Sequence, residues 1–150
     1  MAQHGKYPDT FYRVSVKAVI KNPEGKVLCV KEDASDIWEL PGGGIDHSEN
    51  VRAALARELA EEISYTDDFS YTLADILTMY DPSKERALLF ISADVTLTNE
   101  YTPQTSTDTT AVEWLDPTQF KTSDARAEQA IYRAAVDPTF PVAFTRSAKK

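Results

Sequence analysis

The sequence is poor in cysteine and has no long apolar run. Cys29 is its only cysteine, which excludes an internal disulfide and fits a reducing compartment. No apolar stretch approaches the roughly 18 residues needed to cross a bilayer. The first ten residues are polar and lack the apolar core of a signal peptide. These absences predict a cytoplasmic protein that does not enter a membrane.

Basic residues are also in deficit. The chain has 16 Lys and Arg against 24 Asp and Glu, which gives a net charge of −8 at pH 7. Binding to a phosphate backbone requires a basic surface, so nucleic acid is not an expected partner. Small phosphate compounds remain open as ligands, because a bound metal ion can supply the missing positive charge.

The length of 150 residues predicts one domain. We place it at residues 11–137, between a flexible arm (1–10) and a tail (138–150). Alternating and β-rich patterns predict strands at 11–21, 27–30, 38–40, 70–80, 87–97 and 111–115, the first two forming a hairpin. Amphipathic patterns predict helices at 48–63 and 124–136, the former capped by Ser48 or Asp46, with the three glycines before it in a loop. This order favours an α+β fold, with a mixed β-sheet packed between helices.

Three glutamates lie on one face of the first predicted helix. At 100° per residue, Glu58, Glu61 and Glu62 fall within about 100° of one another. Like charges at this spacing destabilise a helix by roughly 0.2–0.5 kcal/mol per pair. Leu55 and Leu59 form a neighbouring apolar face that should dock the helix on a core. A fixed anionic face of this kind suggests a site for hard divalent cations, since Mg²⁺ prefers oxygen ligands.

The segment from Gly43 to Tyr65 resembles the Nudix box. The family pattern is Gly, five residues, Glu, seven residues, Arg-Glu, an apolar residue, any residue, Glu-Glu, any residue, Gly and a final apolar residue. Seven residues fall on its required positions: Gly43, Glu49, Arg57, Glu58, Leu59, Glu61 and Glu62. The late Gly is replaced by Ser64, in a position that suits a left-handed helix cap.

This resemblance implies an α/β/α sandwich and a Mg²⁺-dependent hydrolase of a nucleoside diphosphate linked to another group, with Mn²⁺ as an alternative ion. Glu58, Glu61 and Glu62 would bind the metal, with the Gly43 carbonyl as a further ligand. Arg57 would orient a glutamate by a charge-assisted hydrogen bond, and Glu58 and Glu61 would take part in catalysis. The general base is left open among Glu58 and three acids outside the box: Glu100, Asp108 and Glu113.

The substrate also stays open on the sequence. A (d)NTP is the favoured substrate; ADP-ribose, another nucleotide sugar or a dinucleoside polyphosphate are the alternatives. A binding module that has lost turnover is disfavoured, because none of the box carboxylates is missing. A diphosphate isomerase is disfavoured too, since Cys29 has no obvious acid partner. No residue is assigned to substrate binding, and a homodimer is compatible with the family.

Overall fold

The computed structural model describes residues 11–142. The predicted arm (1–10) and the last eight residues of the predicted tail (143–150) lie outside these residues. The elements follow in this order: β1 (Tyr12–Val19), β2 (Val27–Glu32), β3 (Gly42–Gly44), α1 (Val51–Ile63), β4 (Phe69–Asp81), β5 (Arg86–Leu97), β6 (Thr109–Leu115), a short 3₁₀ helix (Pro117–Phe120) and α2 (Arg126–Ala135).

Strands β3, β1, β5 and β4 form a four-stranded sheet in that spatial order. The central strands β1 and β5 run parallel, while β3 and β4 pair antiparallel with their neighbours. Strands β2 and β6 form a separate antiparallel pair. The predicted mixed sheet and α+β class are therefore confirmed.

The two helices lie on opposite faces of the sheet, as alternation along β1 shows. Val16 and Ala18 belong to a core with Leu55 and Leu59 of α1. Val19, the next residue along β1, belongs to a second core, with Ile131 and Tyr132 of α2 among its members. Successive side chains of a strand point to opposite faces, so each helix covers one side. Within residues 11–142, no helix is long and apolar enough to cross a membrane.

The predicted hairpin of the first two strands is wrong, because β1 and β2 belong to different sheets. They meet only at their ends, through a bridge between Lys21 and Val27 and a hydrogen bond from the Leu28 N–H to the Ile20 carbonyl. The predicted strand at 38–40 is likewise reduced to one bridge, between Glu39 and Val30.

The three glycines form strand β3 against β1, and not the predicted loop. A Cβ at Gly42 would lie 2.1 Å from the Val16 carbonyl oxygen, and Gly42 has a φ of +141°. A side chain at this position would therefore prevent the pairing, since only glycine permits both the close approach and the dihedral angle.

Both ends of α1 are set by capping residues. Asn50 is the N-cap, and its side chain accepts a hydrogen bond from the Ala53 N–H at 2.8 Å. The predicted caps Ser48 and Asp46 are wrong; Ser48 has a φ of 72°, whereas an N-cap residue is extended. At the other end, Ser64 adopts the left-handed conformation (φ 58°, ψ 32°), as the resemblance suggested.

Candidate active site

Helix α1 presents its glutamates to the glycine strand β3. A Cβ at Gly43 would lie 2.6 Å from Oε2 of Glu58, so the absence of a side chain makes room for this carboxylate. One turn further along, Oε1 of Glu62 accepts a hydrogen bond from the Gly42 N–H at 2.9 Å. Glu58 and Glu62 are 8% and 5% exposed. Two carboxylates are thus held in a nearly buried seam between helix and strand.

Arg57 links the box residues to one another. Its Nε and Nη2 donate to the two carboxylate oxygens of Glu49, at 2.6 and 2.9 Å. Its Nη1 donates to Glu58 at 2.8 Å and to Glu61 at 3.3 Å, and its Nη2 also donates to the Gly44 carbonyl at 2.9 Å. The bidentate contact to Glu49 fixes the plane of the guanidinium, which then orients Glu58.

The ion pair between Arg57 and Glu49 shifts the pKa values of both side chains. Hydrogen bonds from Arg57 lower the pKa of Glu49 from 4.5 to about 2, and a hydrogen bond from the Asp46 N–H adds to this effect. The contact with Glu49 in turn raises the pKa of Arg57. This pair therefore stays ionised throughout the physiological range, as a fixed support for the glutamates of α1.

Glu62 lies beside a carboxylate outside the box. Burial raises the pKa of Glu62 to about 8, against the lowering effects of the Gly42 N–H and of Lys17. Glu32, at the end of β2, lies near Glu62, and burial together with Glu39 raises the pKa of Glu32 as well. The seam thus brings several carboxyl groups together, with Arg57 and Lys17 as nearby cations.

Lys17 joins this seam to a cavity on the α2 side of the sheet. Its ammonium donates to Glu39 at 3.0 Å and to the carbonyls of Leu40 and Gly42 at 3.3 and 3.2 Å. Lys17 and Glu39 also line a cavity of about 100 Å³. Its remaining walls include residues of β4, β5 and α2: Asp75, Leu77, Met79, Phe90, Ser92, Arg126, Ala127, Ala130, Arg133 and Ala134.

The donor chemistry of the seam fits a hard divalent cation. Carboxylates from Glu58, Glu61 and Glu62 and the carbonyl of Gly43 offer only oxygen ligands. Burial raises the pKa of Glu62, and a bound cation would favour its ionised form. Within the described residues, no three His, Cys, Asp or Glu side chains already stand together as a coordination site. Glu61 is half exposed and is held by Arg57, so it would have to turn toward its neighbours.

The three acids outside the box occupy different places. Asp108 follows closely after Ser106, whose hydroxyl donates to the Glu61 carbonyl, so it lies near the end of α1. Glu113 lies on β6 opposite Cys29. Glu100 lines a second groove with Tyr101 and Trp114, which shares no lining residue with the cavity beside Lys17.

Sequence reasoning missed Glu32, Glu39 and Lys17. The sequence predicts Glu39 and Lys17 only as strand positions, and Glu32 lies beyond the end of the predicted strand at 27–30. No local spacing relates them to the box, because they approach it only when β2 and β1 pack against α1 and β3. Partial burial of an ionisable group would have been the useful signal, but burial is a property of the folded chain.

Comparison with known proteins agrees with this arrangement. The family model of the NUDIX domain matches residues 11–135. Among curated proteins, an RNA pyrophosphohydrolase from Actinobacillus pleuropneumoniae serotype 5b (strain L20) is 44% identical over 55 residues. The matched residues are 37% of this chain and 27% of that relative, so the match spans about a quarter of the relative's length.

Solved structures show the same fold at low sequence identity. A MutT protein from Methanosarcina mazei Go1 is 22% identical, with a TM-score of 0.66 over 96% of this chain and 100% of the other. The dihydroneopterin triphosphate pyrophosphohydrolase of E. coli is 17% identical, with a TM-score of 0.65 over 84% and 98% of the two chains. The family match covers most of the sequence and contains the whole glycine–glutamate seam, and the chain belongs to the NUDIX family.

Proposed function

We propose that this protein is a pyrophosphohydrolase dependent on Mg²⁺, or alternatively Mn²⁺, and that it cleaves a nucleoside diphosphate linked to another group. The observation that carries this proposal is the seam between β3 and α1. There, Arg57 holds Glu58 at 2.8 Å, and the Gly42 N–H holds Glu62 at 2.9 Å. This part of the chain would act on the diphosphate.

The residues of the seam would have separate roles. Glu58, Glu61, Glu62 and the Gly43 carbonyl would hold the cation, which when bound neutralises phosphate charge and lowers the pKa of the attacking water. Arg57 would keep Glu58 oriented, with Glu49 as its support. Glu58 would also be the first choice for the general base. Asp108 is the outside candidate that lies between Ser106 and Thr109, whose hydroxyls donate to the carbonyls of Glu61 and Glu62.

The cavity on the α2 side would take the nucleoside. Phe90 and the alanines of α2 give it apolar walls, and Arg126, Arg133 and Asp75 add polar groups. Mostly apolar walls with a few polar groups are typical of small-molecule sites. Lys17 borders both this cavity and the glycine strand, so a nucleotide would place its base in the cavity and its phosphates toward the glutamates.

Among substrates, a (d)NTP remains our first choice, and ADP-ribose or another nucleotide sugar is the alternative. The curated relatives named RNA pyrophosphohydrolase favour a second candidate, the 5′ pyrophosphate end of RNA. The net charge of −8 argues against that candidate, because RNA binding depends on basic surfaces. A nucleotide-binding module without turnover is the remaining reading.

A cytoplasmic location and a homodimer also remain predictions. Strand β4 lies at the edge of the four-stranded sheet, and Leu73, Ile76 and Tyr80 on it are each more than half exposed. An apolar edge strand favours association with another chain. Light scattering of the purified protein would test the dimer, and a concentration-independent monomer mass would contradict it.

The function is tested by phosphate and pyrophosphate release over a panel of (d)NTPs, ADP-ribose, a nucleotide sugar and 5′-triphosphorylated RNA, each with and without Mg²⁺. We expect metal-dependent hydrolysis of at least one (d)NTP. Glu62→Gln keeps the shape of the side chain but removes its charge, and it should reduce kcat by about 100-fold or more.

The matched control is Glu24→Gln, which removes a charge from the exposed turn after β1. It should leave turnover unchanged. Metal-independent hydrolysis, or wild-type turnover by folded Glu62→Gln, would refute the assignment of the seam. Nucleotide binding without hydrolysis of any panel member would favour the binding module.

A further inference from the structure

The segment 98–109, which we call the hydroxyl loop, lies against the C-terminal end of α1. Three of its hydroxyls donate to consecutive carbonyls of the last turn. Ser106 donates to Glu61, Thr109 to Glu62 at 2.8 Å, and Tyr101 to Ile63 at 2.7 Å. Two of these carbonyls belong to glutamates of the candidate metal site.

The helix's own cap does not serve these carbonyls. The N–H groups of both Ser64 and Tyr65 donate to the carbonyl of Leu59, one turn earlier. The last carbonyls of a helix have no partner within the helix, and they must find one elsewhere when they are buried. The hydroxyl loop supplies these partners from a segment some forty residues further along the chain.

The electrostatics of this end of α1 destabilise its last turn. The C-terminus of a helix carries partial negative charge, and acidic side chains there are unfavourable. Glu61 and Glu62 occupy this last turn, which contains no basic residue. Each donated O–H group brings a positive end toward these carbonyls, so the hydroxyl loop opposes fraying at the turn that carries the glutamates.

The hydroxyls are themselves fixed in place. Thr109 is 5% exposed, and its Oγ1 accepts a hydrogen bond from the Ser106 N–H at 3.1 Å. The Tyr101 ring packs edge-on against Tyr65, with 6.1 Å between ring centroids. Donors held in this way restrict the position of the backbone that they contact.

We infer that Tyr101, Ser106 and Thr109 are positioning residues for metal binding: they hold the backbone of the last turn of α1 so that Glu61 and Glu62 can reach one cation. This inference rests on the proposed function. Groups that orient metal ligands typically change metal affinity by 10–100-fold when they are removed. The hydroxyl loop should therefore contribute to cation affinity without touching the cation.

The test compares Thr109→Val, which replaces the hydroxyl with a methyl group of similar size, with Thr109→Ser, which keeps the hydroxyl. Mn²⁺ alone is titrated into each protein at 25 °C, and free Mn²⁺ is followed by electron paramagnetic resonance. We expect the Kd for Mn²⁺ to rise about tenfold in Thr109→Val and to stay near wild type in Thr109→Ser. Thr110→Val, at the exposed neighbouring position, should not change it.

Tyr101→Phe is the second variant, because it removes the hydroxyl that donates to Ile63 and keeps the aromatic ring. It should also raise the Kd for Mn²⁺. Unchanged Mn²⁺ affinity in both Thr109→Val and Tyr101→Phe, while Glu62→Gln loses it, would overturn this inference and leave the proposed function intact. A lower Tm with unchanged Mn²⁺ affinity would overturn it as well, since the role would then be structural only. Absence of Mn²⁺ binding by the wild type would refute both.

Discussion

Gly43 and Glu58 share one small space between β3 and α1. A Cβ at residue 43 would lie 2.6 Å from Oε2 and 2.9 Å from Cδ of Glu58. Gly43 is not among the glycines with positive φ, so its backbone conformation would suit other residues. Glycine is required here by the carboxylate next to it, and the requirement concerns the site more than the fold.

Gly43→Ala should therefore impair activity more than stability. The added methyl group would displace the Glu58 carboxylate from its place beside Arg57, and we expect kcat to fall by about tenfold or more with a small change in Tm. Steady-state hydrolysis and thermal unfolding measure the two effects.

Gly25→Ala provides the opposite control. Gly25 has a φ of +80° and open space around it, so alanine should cost roughly 1–2 kcal/mol of stability and leave kcat unchanged. If Gly43→Ala instead behaved like Gly25→Ala, losing stability with full turnover, the contact with Glu58 would have no catalytic meaning.

The parts of the site that the sequence predicted are those that lie on one helix. Glu58, Glu61 and Glu62 follow from helical periodicity, because their spacing alone puts them on one face. The resemblance places Glu49 and Arg57 in one motif with these glutamates, and the structure shows the contacts that join them.

The parts that the sequence did not predict depend on pairing between distant segments. The glycines form a strand because β1 supplies their partner, and Glu32 reaches Glu62 because β2 ends beside α1. The mixed sheet followed from element order, but the assignment of β2 and β6 to a separate sheet did not. Hairpin pairing is favoured by a short turn, and here the turn at 22–25 links two sheets instead.

Arg57→Lys should separate the effect of the positive charge at residue 57 from the effect of its hydrogen-bond geometry. Lysine keeps the charge, but a single ammonium cannot donate to Glu49 in two places and also orient Glu58. We expect kcat to fall by roughly 10–100-fold with little change in KM, measured in steady-state assays at saturating Mg²⁺.

The control for this change is Arg52→Lys on the same helix. Arg52 pairs with Asp68 at an exposed position, so its replacement should be neutral. An effect of Arg57→Lys on KM alone would contradict an orienting role and would point instead to direct contact with substrate.

Glu49 predicts a pH dependence of stability. Its folded-state pKa is lowered from 4.5 to about 2 by Arg57, so the contribution of this carboxylate is present above pH 4.5 and is lost as the pH falls toward 2. Glu49→Gln cannot titrate, and its stability should change less than that of the wild type across this window. Urea unfolding midpoints at pH 7, 4 and 3 would show the difference, and parallel losses in both proteins would contradict it.

Ala130→Leu tests whether the cavity beside Lys17 receives the nucleoside. Ala130 lies on α2 and lines this cavity, so three further carbon atoms at this position would occupy space that the nucleoside needs. We expect KM for the best substrate to rise by about tenfold or more, because lost apolar contact is worth roughly 1–3 kcal/mol. Mn²⁺ affinity without nucleotide should stay unchanged, since α2 does not carry the glutamates.

Ala53→Leu, at an exposed position of α1, is the matched control. If KM is unchanged in Ala130→Leu while the fold is intact, the nucleoside binds elsewhere.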